Sequence, residues 1–198
     1  NQRVLDISAY QGEVDFQRVK RDSIWGVMLK RPKGSATSVL PLRKIISRQN
    51  KPSWRLEPII SKSLYCAGSS AEANFFLSKV KEKQLTLPLA VDIEARSNGR
   101  LKIWRYRRSL CTHWKRQVTM RPFTARWIGL TKLSAKQLDR FDRWIAEEGV
   151  SKPNFEKPYG MWQFTWNAQV DGINGRADES VSYRDYPNLI RQAGLNHL

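Results

Sequence analysis

The stretch Val4-Leu5-Asp6-Ile7-Ser8-Ala9-Tyr10-Gln11-Gly12-Glu13-Val14-Asp15-Phe16-Gln17-Arg18-Val19-Lys20, followed by Ile24-Trp25-Gly26-Val27-Met28-Leu29-Lys30, decides the fold class. Val4 to Ser8 is an apolar run interrupted by one acid, and Gly12 supplies a turn after it. Asp15 is a candidate N-cap, and Phe16, Val19 and Lys20 fall on helical spacing behind it. Ile24 to Lys30 then reads as a second strand. Strand, helix and strand within about thirty residues make a βαβ unit, and hence parallel pairing. The class is α/β. Catalytic groups in such folds sit at the C-terminal ends of strands, where Asp6 lies.

A second apolar run ends in two acids: Leu87-Pro88-Leu89-Ala90-Val91-Asp92-Ile93-Glu94. Side chains alternate along a strand, so Asp92 and Glu94 share one face, with Cα atoms roughly 6.5–7 Å apart. Neighbouring acids in a cleft push each other's pKa upward, so one can keep its proton while the other is ionised. Glycoside hydrolysis uses that division of labour. Two solvated acids at a strand end are the plainer alternative. The C-terminal third adds Tyr159-Gly160-Met161-Trp162-Gln163-Phe164-Thr165, an aromatic strand-like run. A turn through Asp171-Gly172-Ile173-Asn174-Gly175 then leads to Arg176-Ala177-Asp178. Aromatic faces beside acids suit sugar rings. A core strand with a solvated Asp178 is the alternative here.

Three ordered blocks carry a resemblance. Asp6-Ile7-Ser8-Ala9-Tyr10-Gln11-Gly12 with Val14-Asp15-Phe16, then Asp92-Ile93-Glu94, then Trp162-Gln163-Phe164 with Gly172 to Asp178 resemble glycoside hydrolase family 25, the lysozyme-like N-acetylmuramidases. The closing Tyr186-Pro187-Asn188-Leu189-Ile190 also looks like that family's C-terminus. The resemblance implies an irregular, flattened (β/α) barrel, TIM-barrel-like with fewer than eight helices. It implies one catalytic domain over residues 1–198. It implies a peptidoglycan hydrolase that cleaves the β-1,4 bond between N-acetylmuramic acid and N-acetylglucosamine. Glu94 matches the proton donor, and Asp6, Asp92 and Asp178 match the other groove acids. Tyr10, Tyr65, Trp162 and Gln163 fall where substrate would be bound. A carboxylate or the substrate's own acetamido group meets the cationic centre, and the sequence leaves both open. No metal or other cofactor is implied.

The length of 198 residues suits one substantial core, and no linker or repeat divides it. No run approaches eighteen consecutive apolar residues, so no membrane span is expected. No secretory leader is visible ahead of Val4, which implies action at the cell wall after leader removal or release by lysis. Cys66 and Cys111 can form one bridge or remain two buried thiols. A monomer is expected.

The net charge is +17. Residues 31–62 hold eight Lys/Arg and one acid, Glu57, and residues 96–126 hold ten Lys/Arg and no acid. The remaining residues are balanced, so the whole imbalance lies in these two blocks. They also match the family pattern worst. Lys33-Gly34-Ser35 lacks the acid expected after its glycine, and Ser61-Lys62-Ser63-Leu64-Tyr65 lacks a glycine. Leu101 to Val118, where a helix is expected, carries a partial apolar stripe. Three explanations stay open: a basic surface for anionic wall polymers, a nucleic-acid surface, or a local change of reading frame. Nucleic acid is disfavoured, because no helix-turn-helix or RNP-like strand is evident. A second function class follows from the charge: a catalytically weak, basic wall-binding protein of the same fold.

Overall fold

The computed structural model describes residues 1–30, 56–63, 86–88, 90–94, 124–128 and 142–194, with the segments 56–63, 91–94 and 124–128 described by their backbone. Eight strands close a barrel in chain order: β1 (Gln2–Ile7), β2 (Gly26–Lys30), β3 (Leu56–Ser63), β4 (Ala90–Glu94), β5 (Thr124–Ile128), β6 (Asp142–Ala146), β7 (Met161–Ala168) and β8 (Ala177–Ser182). Strands β1 to β7 run parallel. Strand β8 runs antiparallel to both β7 and β1 and seals the seam. The sheet is therefore mixed. Two α-helices stand among the described residues: α1 (Phe16–Arg21), as the sequence predicts, and α2 (Tyr186–Gln192).

Local chemistry starts both helices. The Asp15 carboxylate accepts hydrogen bonds from the backbone N–H groups of Gln17 and Arg18, satisfying donors that have no partner within the helix. Asp185 caps Asn188 in the same way, and Pro187 in the first turn lacks an N–H that would need one. Gly172, at φ +89°, brings the turn before β8 against the start of α1. A Cβ there would lie 2.4 Å from the Asp15 carbonyl oxygen, so only glycine permits that approach.

Strand alternation sorts the apolar residues into two cores. Leu5, Ile7, Val27 and Leu29 pack against Phe16 and Val19 of α1, with Val14, Ile24, Val170 and Ala177. That is the outside of the barrel. The other parity, Val4, Met28, Ala90, Trp144 and Met161, comes from five different strands and forms one cluster. Residues from strands so far apart around the ring meet only in the barrel interior. Tyr186 and Ile190 of α2 join this cluster together with Leu87. Because β8 runs backwards, α2 follows it at the N-terminal ends of the parallel strands and forms the floor. The Tyr186 hydroxyl donates to the Asp142 carboxylate at 2.8 Å, and Arg184 reaches the same carboxylate oxygen at 3.0 Å. With the floor closed by apolar side chains, the polar residues of the interior collect at the opposite end.

Candidate active site

Asp6 stands one residue before the end of β1, on the face of buried Val4, and is itself 4% exposed. In the β1–β8 ladder its register partner is Asp178. Directly opposed residues in an antiparallel pair have Cα atoms about 4.5–5.5 Å apart. Asp178 is the second residue of β8, which puts it at the same end of the barrel as the last residues of the parallel strands.

The facing of Asp178 is fixed by its neighbours. Ser180, two residues on, accepts a hydrogen bond from the Trp144 indole Nε1 at 3.0 Å inside the barrel. Glu179, between them, points outward to Arg3: Nε to Oε1 is 2.5 Å and Nη2 to Oε2 is 3.1 Å. Arg3 also donates to the Asp22 carbonyl at 2.7 Å. The Glu179 carboxylate holds the Arg3 guanidinium above its usual pKa, chiefly through that hydrogen bond. A one-residue slip of β8 would bury Asp178 outside and strand Glu179 within, so this ion pair enforces the register.

Asp92 and Glu94 occupy the C-terminal half of β4, at positions sharing a face with buried Ala90. Asp92 is in register with Ser61 of β3 and Arg126 of β5, and Glu94 with Ser63 and Ile128. Strands β4 and β8 lie four places apart in a ring of eight. The topology thus brings all four predicted acids to one end, the Asp92-Glu94 positions on one wall and the Asp6–Asp178 pair opposite.

Of the predicted substrate-binding residues, Gln163 lies on the inner face of β7, beside Ser180 on β8 and Ala146 on β6. It is 3% exposed, and its Oε1 meets no donor among the described residues. Tyr10, on the 3₁₀ turn Ala9–Gln11 after β1, is 97% exposed. Trp162 takes the opposite parity from Gln163. Its indole Nε1 donates to the Glu147 carbonyl at 2.8 Å, and its ring meets Phe164 edge-on. It buttresses β7 from behind. Tyr65, Cys66 and Cys111, and most of both basic blocks, lie outside the described residues.

Three further residues, none of them among the predicted site residues, shape this end. Gln11 accepts from the Ser8 backbone N–H at 2.8 Å and donates to the Arg176 carbonyl at 2.9 Å, clipping the Tyr10 turn to the start of β8. Its spacing of three from Ser8 is a side-chain-to-backbone turn signal. Glu148 accepts from the Thr165 hydroxyl at 2.6 Å and the Trp166 backbone N–H at 3.4 Å. Trp166, 61% exposed, stands beyond a register shift in β7.

The sequence profile of glycosyl hydrolases family 25 matches residues 5–173. The chain belongs to that family. Among curated proteins it is similar to the autolytic lysozyme of Clostridium acetobutylicum, 25% identical over 178 residues. That alignment takes in 88% of this chain and 53% of the lysozyme, so the chain spans about half the length of that relative. Among solved structures, the CTP1L endolysin superposes with a TM-score of 0.76 at 22% identity, covering 97% of this chain and 70% of its own. A family 25 glycosyl hydrolase from Bacillus anthracis gives 0.73 at 20% identity, covering 93% and 89%. The matched range contains Asp6, Asp92 and Glu94. Asp178 lies beyond it and is tied to the site by the β1–β8 register.

Proposed function

We propose that this family 25 chain is a muramidase, hydrolysing the β-1,4 bond between N-acetylmuramic acid and N-acetylglucosamine in peptidoglycan. The observation that carries the reading is the placement of Asp6 opposite Asp178 at the same barrel end as the Asp92-Ile93-Glu94 segment. Glu94 donates its proton to the glycosidic oxygen, so the leaving sugar departs as an alcohol. The cationic sugar left behind is met by a groove carboxylate or by the substrate's acetamido oxygen, and water completes the cleavage. Asp6 and Asp178 supply negative charge to that centre, and Asp92 orients the acetamido group or tunes Glu94. Tyr10 and Gln163 bind the glycan, with Trp162 supporting the strand that carries Gln163.

The same reading describes residues 1–198 as one catalytic domain, a flattened TIM-like barrel with fewer than eight helices, acting as a monomer at the cell wall. Seven parallel strands, with Asp6, Asp92 and Glu94 toward their C-terminal ends and Asp178 at the start of antiparallel β8, support it. The enzyme reaches the wall by secretion or by release on lysis, and segments 31–62 and 96–126 attract its anionic polymers. The deciding experiment is loss of turbidity of a Gram-positive cell-wall suspension, with new reducing ends assigned to muramic acid. Binding to walls without any release of reducing ends would instead establish a wall-binding protein of this fold.

A further inference from the structure

Arg176 immediately precedes β8, two residues before Asp178. A step of two along an extended chain is roughly 6.5–7 Å, which puts Arg176 at the rim above the Asp6–Asp178 pair. Its backbone is pinned there by Gln11, whose amide donates to the Arg176 carbonyl at 2.9 Å, so it adjoins the turn that carries exposed Tyr10. Its guanidinium meets neutral oxygens: the Asn167 carbonyl at 3.4 Å and, with the Gln169 amide oriented to satisfy both groups, the Gln169 oxygen at 3.1 and 3.3 Å. Other arginines differ. Arg3 has Glu179, Arg18 has Asp171 and Arg184 has Asp142. Arg176 is exposed and has no carboxylate partner among the described residues.

Arg176 also edges an open depression of about 340 Å³, lined by Gln169, Val170, Asp171, Ile173 and Gly175. The acid in that lining is already engaged: Asp171 Oδ1 lies 2.5 Å from Arg18 Nη2, and Oδ2 accepts from Arg18 Nε at 3.1 Å. What the depression offers is one planar cation without a carboxylate partner among the described residues, in a lining of mixed polar and apolar side chains. A guanidinium fork fits a carboxylate in two parallel hydrogen bonds. The neutral N-acetylglucosamine unit has no such group. The muramic unit has its lactyl carboxylate, and a stem peptide attached there carries others.

We infer that Arg176 is a specificity residue that binds a carboxylate of the muramyl side of the substrate. This rests on the muramidase reading. The test compares glycan strands stripped of peptide, which carry free lactyl carboxylates, with the same strands methyl-esterified, and with peptide-bearing strands. Affinity is measured on Glu94→Gln and Glu94→Gln/Arg176→Gln, and turnover on wild type and Arg176→Gln. Charge-assisted hydrogen bonds of this kind are worth about tenfold or more in affinity. The Arg176→Gln change should raise Kd and KM for free-acid strands by that factor, leave kcat within about twofold, and leave esterified strands unaffected. An effect confined to peptide-bearing strands assigns the stem carboxylate instead of the lactyl one. Arg176→Lys, which keeps charge but loses the fork, should recover part of the loss. If Arg176→Gln keeps the preference for free acid over ester and also leaves peptide-bearing strands unaffected, the assignment is overturned. A fall in kcat at unchanged KM overturns it too. Failure of wild type to cleave any strand would defeat the muramidase reading, and the affinity comparison would still decide Arg176.

Discussion

Gln keeps nearly the shape of Glu94 but replaces the acidic hydroxyl with an amide that does not give up a proton, so the exchange isolates the proton-donor role. Glu94→Gln should lower the rate of wall lysis by at least ~10²-fold, since general acid catalysis supplies 10²–10⁴. Thermal unfolding should be unchanged. Activity within a few-fold of wild type would remove Glu94 from that role. The acids were legible because each sits at the end of a short apolar run or just after a glycine turn, Asp6 and Glu94 above all. The N-cap role of Asp15 was legible for the same local reason. What pairs Asp6 with Asp178 was not, because that register depends on the ion pair of Arg3 with Glu179, 176 positions away. Trp162 was legible as an aromatic near the site. Which way it faces was settled by the parity of β7 and by the Glu147 carbonyl that holds its indole.

At the scale of elements, the strand that closes the barrel is the one the sequence hides best. Ala177-Asp178-Glu179-Ser180-Val181-Ser182 contains two acids and two serines, residue types depleted from strands or neutral there. It is a strand because both of its edges are paired and its polar groups are satisfied one by one: Glu179 by Arg3, Ser180 by Trp144, and Ser182 by the Arg184 carbonyl at 2.9 Å. Removing Arg3 should therefore be costly. Arg3→Ala leaves the Glu179 carboxylate buried without its main partner, a loss of ~1–3 kcal/mol, readable in urea unfolding. The double change with Glu179→Ala should recover part of it. An Arg3→Ala protein as stable as wild type would mean that the pair does not hold the seam. The turn before β8 makes a pH prediction. Hydrogen bonding to Arg18 depresses the Asp171 pKa, and the Coulombic attraction of Arg18 and Arg21 adds to this. A carboxylate whose folded pKa is lowered stabilises the fold above its unfolded value, about 3.9. That contribution is lost as pH falls through the lower, folded value. An NMR titration of the Asp171 carboxyl should give a midpoint below 3.9, returning toward it in Arg18→Gln. A wild-type midpoint at or above the unfolded value would show that the α1 contact is absent in solution.

Charge belongs to the whole molecule. The net +17 comes entirely from segments 31–62 and 96–126, while the rest of the chain, including every predicted groove acid, is balanced. The chain outside the two blocks is thus neutral in sum and carries the cluster of acids, and its substrate is proposed to be part of an anionic polymer. A neutral remainder with an acidic mouth has no long-range attraction for such a polymer, so any attraction must come from the two blocks. Surface attraction of this kind is screened within roughly 8 Å at physiological ionic strength. Wall binding should therefore fall steeply as salt is raised. Reversing Arg105, Arg107, Arg108, Lys115 and Arg116 to Glu should weaken wall association and flatten its salt dependence. Cleavage of a short muramyl oligosaccharide with its lactyl carboxylates methyl-esterified, and so uncharged, should stay within about twofold of wild type, because diffusion of a neutral ligand is not steered by the field. Cosedimentation with purified walls across a salt series, run beside an assay on the short oligosaccharide, separates the two effects. Binding that ignores salt would remove the blocks from wall attraction. Equal losses in both assays would mean that the five residues support the barrel and not its approach to the wall.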